Sequence, residues 1–383
     1  SCGNPLMFPN NKYAFSPSAA AGGNSWFFDD YYYRLNNAGL FTMTCIQGGV
    51  NMEELGGIRG DGKPILKTED PASPLSYIRH ADAFYQFAAR YGSRTVPDNT
   101  LKLLSNQPRV SGLNRVQAIE VWNEQNATWA GRKTYFTPYE YAAMLSAAYD
   151  GHCGTMGATI GAKNADPGIE FVMGGTAGSD IAYVKAMHLW FKFNRPDGKF
   201  AADTINFHTY INTASNTQAQ TSETQGLAPE VGGLKEIAQS LSRYRDKYLP
   251  EKKVILSEFG YDTNIESPQG VRLFGALSAR EIQAQWLMRS YMILNASGLD
   301  LAQMYMLRDS GPEATSTGKY GSSGLITAPG ANQEKKTSWY YLYTMKNTLR
   351  NMRYIREIPS GNKDVWIYQF RDDAGKNAYA LWC

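Results

Sequence analysis

Val116-Gln117-Ala118-Ile119-Glu120-Val121-Trp122-Asn123-Glu124-Gln125-Asn126 is an apolar run that stops at a carboxylate. Val254-Ile255-Leu256-Ser257-Glu258-Phe259-Gly260-Tyr261 repeats the arrangement later in the chain. Each run has the length and composition of a buried strand and is followed by turn-forming residues. A lone Glu in such a place is ordinarily a solvated strand end or a helix cap. Two of them in a strand-helix frame are placed for chemistry, because the rim where parallel strands end carries the working groups of barrel enzymes.

The frame itself is visible on both sides of these runs. Residues 26–37 have the spacing of an amphipathic helix closed by Gly39, and a strand over 40–46 follows, turning at Gln47-Gly48-Gly49. A polar loop covers 50–73, and further loops are expected over 212–224 and 309–333. Residues 74–91 then place Tyr77, Ile78, Ala81, Phe84, Tyr85 and Ala88 on one helical face. Thr137-Pro138-Tyr139-Glu140 reads as a helix start, with Thr as cap and Pro at the first helical position. Strands are expected over 170–173, 204–207 and 301–307, and helices over 181–193, 234–248, 276–295 and 338–349. Alternation of this kind implies a parallel sheet.

Glu-Val-Trp-Asn-Glu-Gln-Asn, residues 120–126, resembles the acid/base strand of the clan A retaining glycosidases, and Ser257-Glu258-Phe259-Gly260 resembles the strand of that clan's nucleophile. The order of the two motifs matches, and the interval leaves room for three further strand–helix units. Family 39-like bacterial polysaccharide-degrading members look most similar. The resemblance implies an α/β fold, a (β/α)8 TIM barrel, with Glu124 as general acid/base, Glu258 as nucleophile and Asn123 bonding the sugar 2-hydroxyl. It also makes Tyr210, in the Phe207-His208-Thr209-Tyr210 pattern, the hydroxyl that bonds the nucleophile, and His208 a subsite ligand. Many members carry a Trp near the end of the last strand; here Gln303-Met304-Tyr305-Met306-Leu307-Arg308 offers Tyr305 and Arg308 instead. From position alone, Trp129 and Tyr261 are candidates to stack on neighbouring sugars. Trp122 points away from Asn123 by strand alternation, and packing is its expected role.

The resemblance places the acid/base at the end of the fourth strand and the nucleophile at the end of the seventh. That makes 40–46 the third strand. No convincing pair precedes it, since Pro5, Pro9, Pro17 and three consecutive alanines break the pattern. The expectation is a barrel over residues 1–350 without its first two strands, taken from a longer protein. Asp364-Val365-Trp366-Ile367-Tyr368-Gln369-Phe370 and Asn377-Ala378-Tyr379-Ala380-Leu381-Trp382 alternate like strands. Residues 351–383 are therefore read as the start of a β-sandwich.

Composition narrows the partners. A formal charge of +3 without a long basic run gives no footing for nucleic acid, and no apolar stretch is long enough for a membrane span. The 25 Tyr and 8 Trp exceed what a core of this size needs, and such rings stack on the C–H faces of sugars. About half of them are expected simply to pack between sheet and helices. Cys2, Cys45, Cys153 and Cys383 match no metal-ligand spacing, and Cys45 reads as a buried free thiol. No cofactor and no metal are expected. The sequence reading is thus a monomeric bacterial glycosidase, secreted or at the cell surface or in the periplasm, acting on a polysaccharide or oligosaccharide. An endo-β-glucanase is preferred, with an exo-acting β-xylosidase or a non-catalytic carbohydrate-binding barrel as alternatives. No signal peptide is visible in the chain.

Overall fold

The computed structural model describes residues 6–8, 12–15, 27–47, 62–66, 68–105, 107–133, 135–214, 223–330 and 332–383. Cys2, the three early prolines with the alanine run, Trp26, Gly48-Gly49, most of the loop over 50–73 and the centre of the loop over 212–224 lie outside them. The chain divides into two compact units, Ser1–Thr176 with Asp180–Asn206, and Ala177–Ser179 with Phe207–Cys383.

In the first unit, β1 (Leu6–Phe8) and β2 (Lys12–Ala14) pair antiparallel. Helix α1 (Phe28–Asn37) ends at a turn where Gly39 takes φ +69°, and β3 (Met43–Ile46) follows. A 3-10 turn at Pro74–Tyr77 runs into α2 (Ile78–Tyr91), then come β4 (Ala118–Val121), α3 (Pro138–Asp150), the short α4 (Ala162–Ala165) and β5 (Glu170–Met173). The two-residue β6 (Thr176–Ala177) precedes α5 (Ile181–Asn194) and β7 (Thr204–His208), and the division between the units falls within β6 and again within β7. Strands β3, β4 and β5 are parallel and in register, with Met43 opposite Ala118 and Ala118 opposite Glu170. Val172 of β5 in turn pairs with Thr204 of β7. Every residue of β4 is buried, which is why it reads as an apolar run, interrupted at Glu120, with no alternation.

Helix α3 starts where the sequence says it should. The Thr137 hydroxyl accepts from the Glu140 backbone N–H, and the Glu140 carboxylate accepts from the Thr137 N–H at 2.8 Å. This reciprocal pair satisfies two of the N–H groups a helix start leaves open, and Pro138 fits the first turn because its missing N–H is not needed there. Gly151 at φ +67° closes the helix. Helix α2 is buried from His80 to Tyr91. His80 sits edge-on to Phe84 and Trp122, and among the described residues its buried Nε2 has no hydrogen-bond partner. Burial lowers its pKa from 6.5 to about 3, so the ring is neutral in the fold.

The second unit contains α6 (Leu234–Tyr248), β8 (Lys253–Glu258), α7 (Ala279–Ala296), β9 (Leu301–Ala302) and α8 (Thr337–Thr348). β10 (Met352–Glu357), β11 (Trp366–Asp372) and β12 (Asn377–Trp382) form a separate antiparallel sheet in that order. β8 and β9 are parallel, with Ile255 opposite Leu301. Lys336, fully buried, donates to both oxygens of the equally buried Asp309 carboxylate at 2.9 and 3.1 Å. Its ammonium also meets the Thr263 hydroxyl and the Ser322 carbonyl, so a charge pair that burial would otherwise penalise is fully hydrogen-bonded.

The six strands read from the sequence correspond to β3, β4, β5, β7, β8 and β9. Upstream of β3, the described residues supply an antiparallel hairpin and no parallel pair, and β3 has β4 as its one strand neighbour among them. The last strand is shorter than the 301–307 expected. Beyond Ala302 the chain keeps only single backbone bonds, Gln303 N–H to Leu256 and Tyr305 N–H to Phe259, and then leaves the ladder. β10 escaped the sequence reading because charged Arg353, Arg356 and Glu357 interrupt its alternation.

Candidate active site

Glu258 is the last residue of β8 and is half-buried. The Tyr210 hydroxyl donates to its Oε2 at 3.0 Å, and His208 Nδ1 lies 3.6 Å from the same oxygen. The other ring nitrogen of His208 is 3.0 Å from the Ser257 hydroxyl, and the ring is buried. Thr209 N–H donates to the Glu258 carbonyl at 3.0 Å. The carboxylate is therefore held on one oxygen by β7 and the residues just past it, while its backbone is tied to the same segment. Gly260 is needed immediately afterwards: a Cβ there would run into the Tyr305 carbonyl oxygen. This close approach brings the chain after β9 against the exit of β8. Tyr305 is part-exposed and its peptide bond to Met306 is cis. Its ring meets Tyr320 edge-on at 5.5 Å, and Tyr320 meets Tyr210 edge-on at 5.0 Å. Arg308 is exposed, with its backbone bridged to Ile326.

Glu124 belongs to the first unit, three residues past the end of β4, and is half-buried like its neighbour Asn123. The turn that carries it is unusual. Trp122 takes φ +75° and Glu124 φ +47°, a region where bulky side chains are uncommon. Backbone bonds fix it there, Trp122 N–H to Ile46 and Glu124 N–H to Gly175, each 2.9 Å. A Cβ on Gly174 would lie 2.6 Å from the Val121 carbonyl and 2.7 Å from the Trp122 carbonyl, so only glycine lets the end of β5 pack against this turn. The Tyr141 hydroxyl closes the arrangement, donating to the Val121 carbonyl at 2.6 Å and accepting from Gly174 N–H at 2.7 Å. Trp122 is buried between His80 and Phe136, a packing role. Trp129 is exposed in the loop after Glu124, where its ring is open to solvent.

One sequence assignment needs correcting and two residues were missed. Tyr261 cannot stack on a sugar: it is 2 % exposed, packed edge-on against Trp286 at 5.1 Å. The chain past Gly260 turns inward onto α7, where Gln283 Nε2 donates to the Tyr261 carbonyl. Glu120 passed as an ordinary strand residue, yet its buried carboxylate accepts from Gly175 N–H at 3.0 Å and Asn206 Nδ2 at 2.8 Å. A charged residue inside an otherwise apolar run was the available signal. Tyr320 lay in a stretch read only as a loop, and nothing in its local sequence marks it. Cys45 is half-buried rather than buried, with its thiol 3.5 Å from the Trp122 carbonyl, and among the described residues Cys45, Cys153 and Cys383 form no disulfide.

No family model matches the sequence, and no curated relative does. Solved structures do. That of SrfJ from Salmonella typhimurium aligns over 100% of this chain and 72% of its own, with TM-score 0.55 and 16% identity. AbfB, a family 51 α-L-arabinofuranosidase from Bifidobacterium longum, aligns over 92% of this chain and 64% of its own, with TM-score 0.51 and 14% identity. Likeness at this level of identity shows the fold. It is α/β of the (β/α)8-barrel type, with parallel strands alternating with helices and a separate antiparallel sheet. Among the described residues, no helix is long and apolar enough to cross a membrane.

Proposed function

We propose that this chain is a retaining glycoside hydrolase in which Glu258 and Glu124 act on one glycosidic bond. The observation that carries the reading is the setting of Glu258, a carboxylate at the end of a parallel strand with a tyrosine hydroxyl and a histidine ring on one oxygen. In the first step Glu258 attacks the anomeric carbon, the bond to the leaving oxygen breaks, and Glu124 delivers its proton to that oxygen. In the second step Glu124, now a carboxylate, takes a proton from water. The water oxygen bonds to the anomeric carbon and the ester to Glu258 breaks. Asn123, Tyr305 and Arg308 are proposed to contact the reacting sugar and the exposed Trp129 to stack on a neighbouring one, while the buried His208, expected as a subsite ligand, is proposed to orient Glu258 instead.

The strand-end motifs and the polar sequence over 50–73 and 212–224 support a polymer as substrate. An internal β-glucan linkage is the reading proposed, within a family 39-like frame. Reducing-sugar release should be measured on β-glucans, xylan, mannan and agarose, with aryl β-glucoside, β-xyloside and α-L-arabinofuranoside alongside. Release from a β-glucan as mixed oligosaccharides is expected. Release of single xylose units would move the assignment to an exo-acting β-xylosidase, and binding of polymer without any release would make the protein a non-catalytic carbohydrate-binding barrel.

A further inference from the structure

Tyr320 takes φ +66°, a backbone conformation that Gly or Asn adopts at less cost than a ring-bearing residue. Considerable structure holds it there. Its N–H donates to Asp262 Oδ2 at 3.0 Å, Ser322 N–H donates to Asp262 Oδ1 at 3.1 Å, and the Ser267 hydroxyl donates to Oδ2 at 2.5 Å. Asp262 is fully buried and follows Glu258 by four residues. Lys336 grips the same loop from the other side through Asp309 and the Ser322 carbonyl. Closing a loop requires none of this at a position where glycine would be free. The result is that the Tyr320 ring stands beside both Tyr210 and Tyr305, 5.0 Å from the ring whose hydroxyl binds Glu258.

We propose that Tyr320 is a positioning residue: its ring fixes Tyr210 against Glu258, and the Asp262 carboxylate fixes Tyr320. The inference rests on the reading of Glu258 as nucleophile. It assigns to the loop after β9, and to the segment after β8, a role in orienting the reacting carboxylate. Tyr320 acts through Tyr210, so its effect must vanish when the Tyr210 hydroxyl is gone.

The test is a double-mutant cycle on the aryl glycoside hydrolysed fastest by the intact chain. Tyr320→Gly suits the backbone at φ +66° and keeps the fold intact, which a thermal melt no lower than wild type would verify. It should lower kcat/KM about tenfold, and Tyr320→Phe, which restores the ring, should bring it back to within about twofold of wild type. Tyr210→Phe removes a hydrogen bond to a charged group and should cost roughly tenfold or more. In that background Tyr320→Gly should add less than about threefold. An unchanged kcat/KM in Tyr320→Gly, an equal loss in Tyr320→Phe, or full additivity with Tyr210→Phe would each overturn the proposal. Glu258→Ala is assayed in the same series: if it retains turnover the nucleophile reading fails, whereas an inactive Glu258→Ala with additive tyrosines sinks the positioning role alone.

Discussion

Glu258→Ala is expected to abolish turnover of every glycoside the protein hydrolyses, because no group remains to attack the anomeric carbon. Glu124→Ala should behave differently. On polysaccharide, whose leaving group needs a proton, activity should fall roughly 10²–10⁴-fold, the usual contribution of a general acid. On an aryl glycoside with a good leaving group the first step needs little protonation and should survive. The second step then lacks its base and the glycosyl-enzyme accumulates, giving a burst followed by slow turnover. Azide needs no general base, so it should restore turnover and yield a glycosyl azide of unchanged anomeric configuration. Steady-state and burst kinetics on both variants check this. Equal loss on activated substrates, with no rescue by azide, would contradict the separate roles.

The second large effect concerns stability. His80 is buried and its pKa is lowered to about 3, against 6.5 when the chain is unfolded. Above about pH 6.5 the ring is neutral in both states and titration contributes nothing. Below that the unfolded chain binds a proton that the folded protein refuses, so stability falls by about 1.4 kcal/mol per pH unit until pH approaches 3. Between pH 6.5 and 4.5 the loss from this one group is on the order of 2 kcal/mol. His80→Phe keeps an aromatic ring against Phe84 and Trp122 and removes the titration. Urea unfolding at a series of pH values should show a markedly flatter acid slope for the variant. Parallel slopes for both proteins would show that His80 is not held neutral.

The elements that were legible in the sequence are those whose signal is local. β4 and β5 are short apolar runs ended by turn residues, and they form where read, because a strand covered on both faces has no other use for such a run. Helix α3 was legible through its capping residues, and α2 through its apolar face. What failed depended on the approach of distant segments. Tyr261 looked like a rim residue because it follows Glu258 closely, but the requirement for Gly260 against Tyr305 turns the chain inward and buries it. Tyr320 is held beside Tyr210 with its N–H on Asp262, 58 residues away in sequence, and no local pattern announces that. Glu120 was visible yet misread, since only the positions of Gly175 and Asn206 show what its carboxylate binds. The left-handed backbone at Trp122 and Glu124 likewise has no signature in a Trp-Asn-Glu tripeptide; it is imposed by Ile46, Gly174 and Gly175.

The central claim is that Glu258 forms a covalent bond to the sugar. A 2-deoxy-2-fluoro aryl glycoside of the preferred sugar slows both steps but slows release more, so a true nucleophile is trapped. Intact-protein mass should rise by one fluoroglycosyl unit, and peptide mapping should place the adduct on Glu258. Absence of an adduct together with products of inverted anomeric configuration, or an adduct on any other carboxylate, would contradict the account.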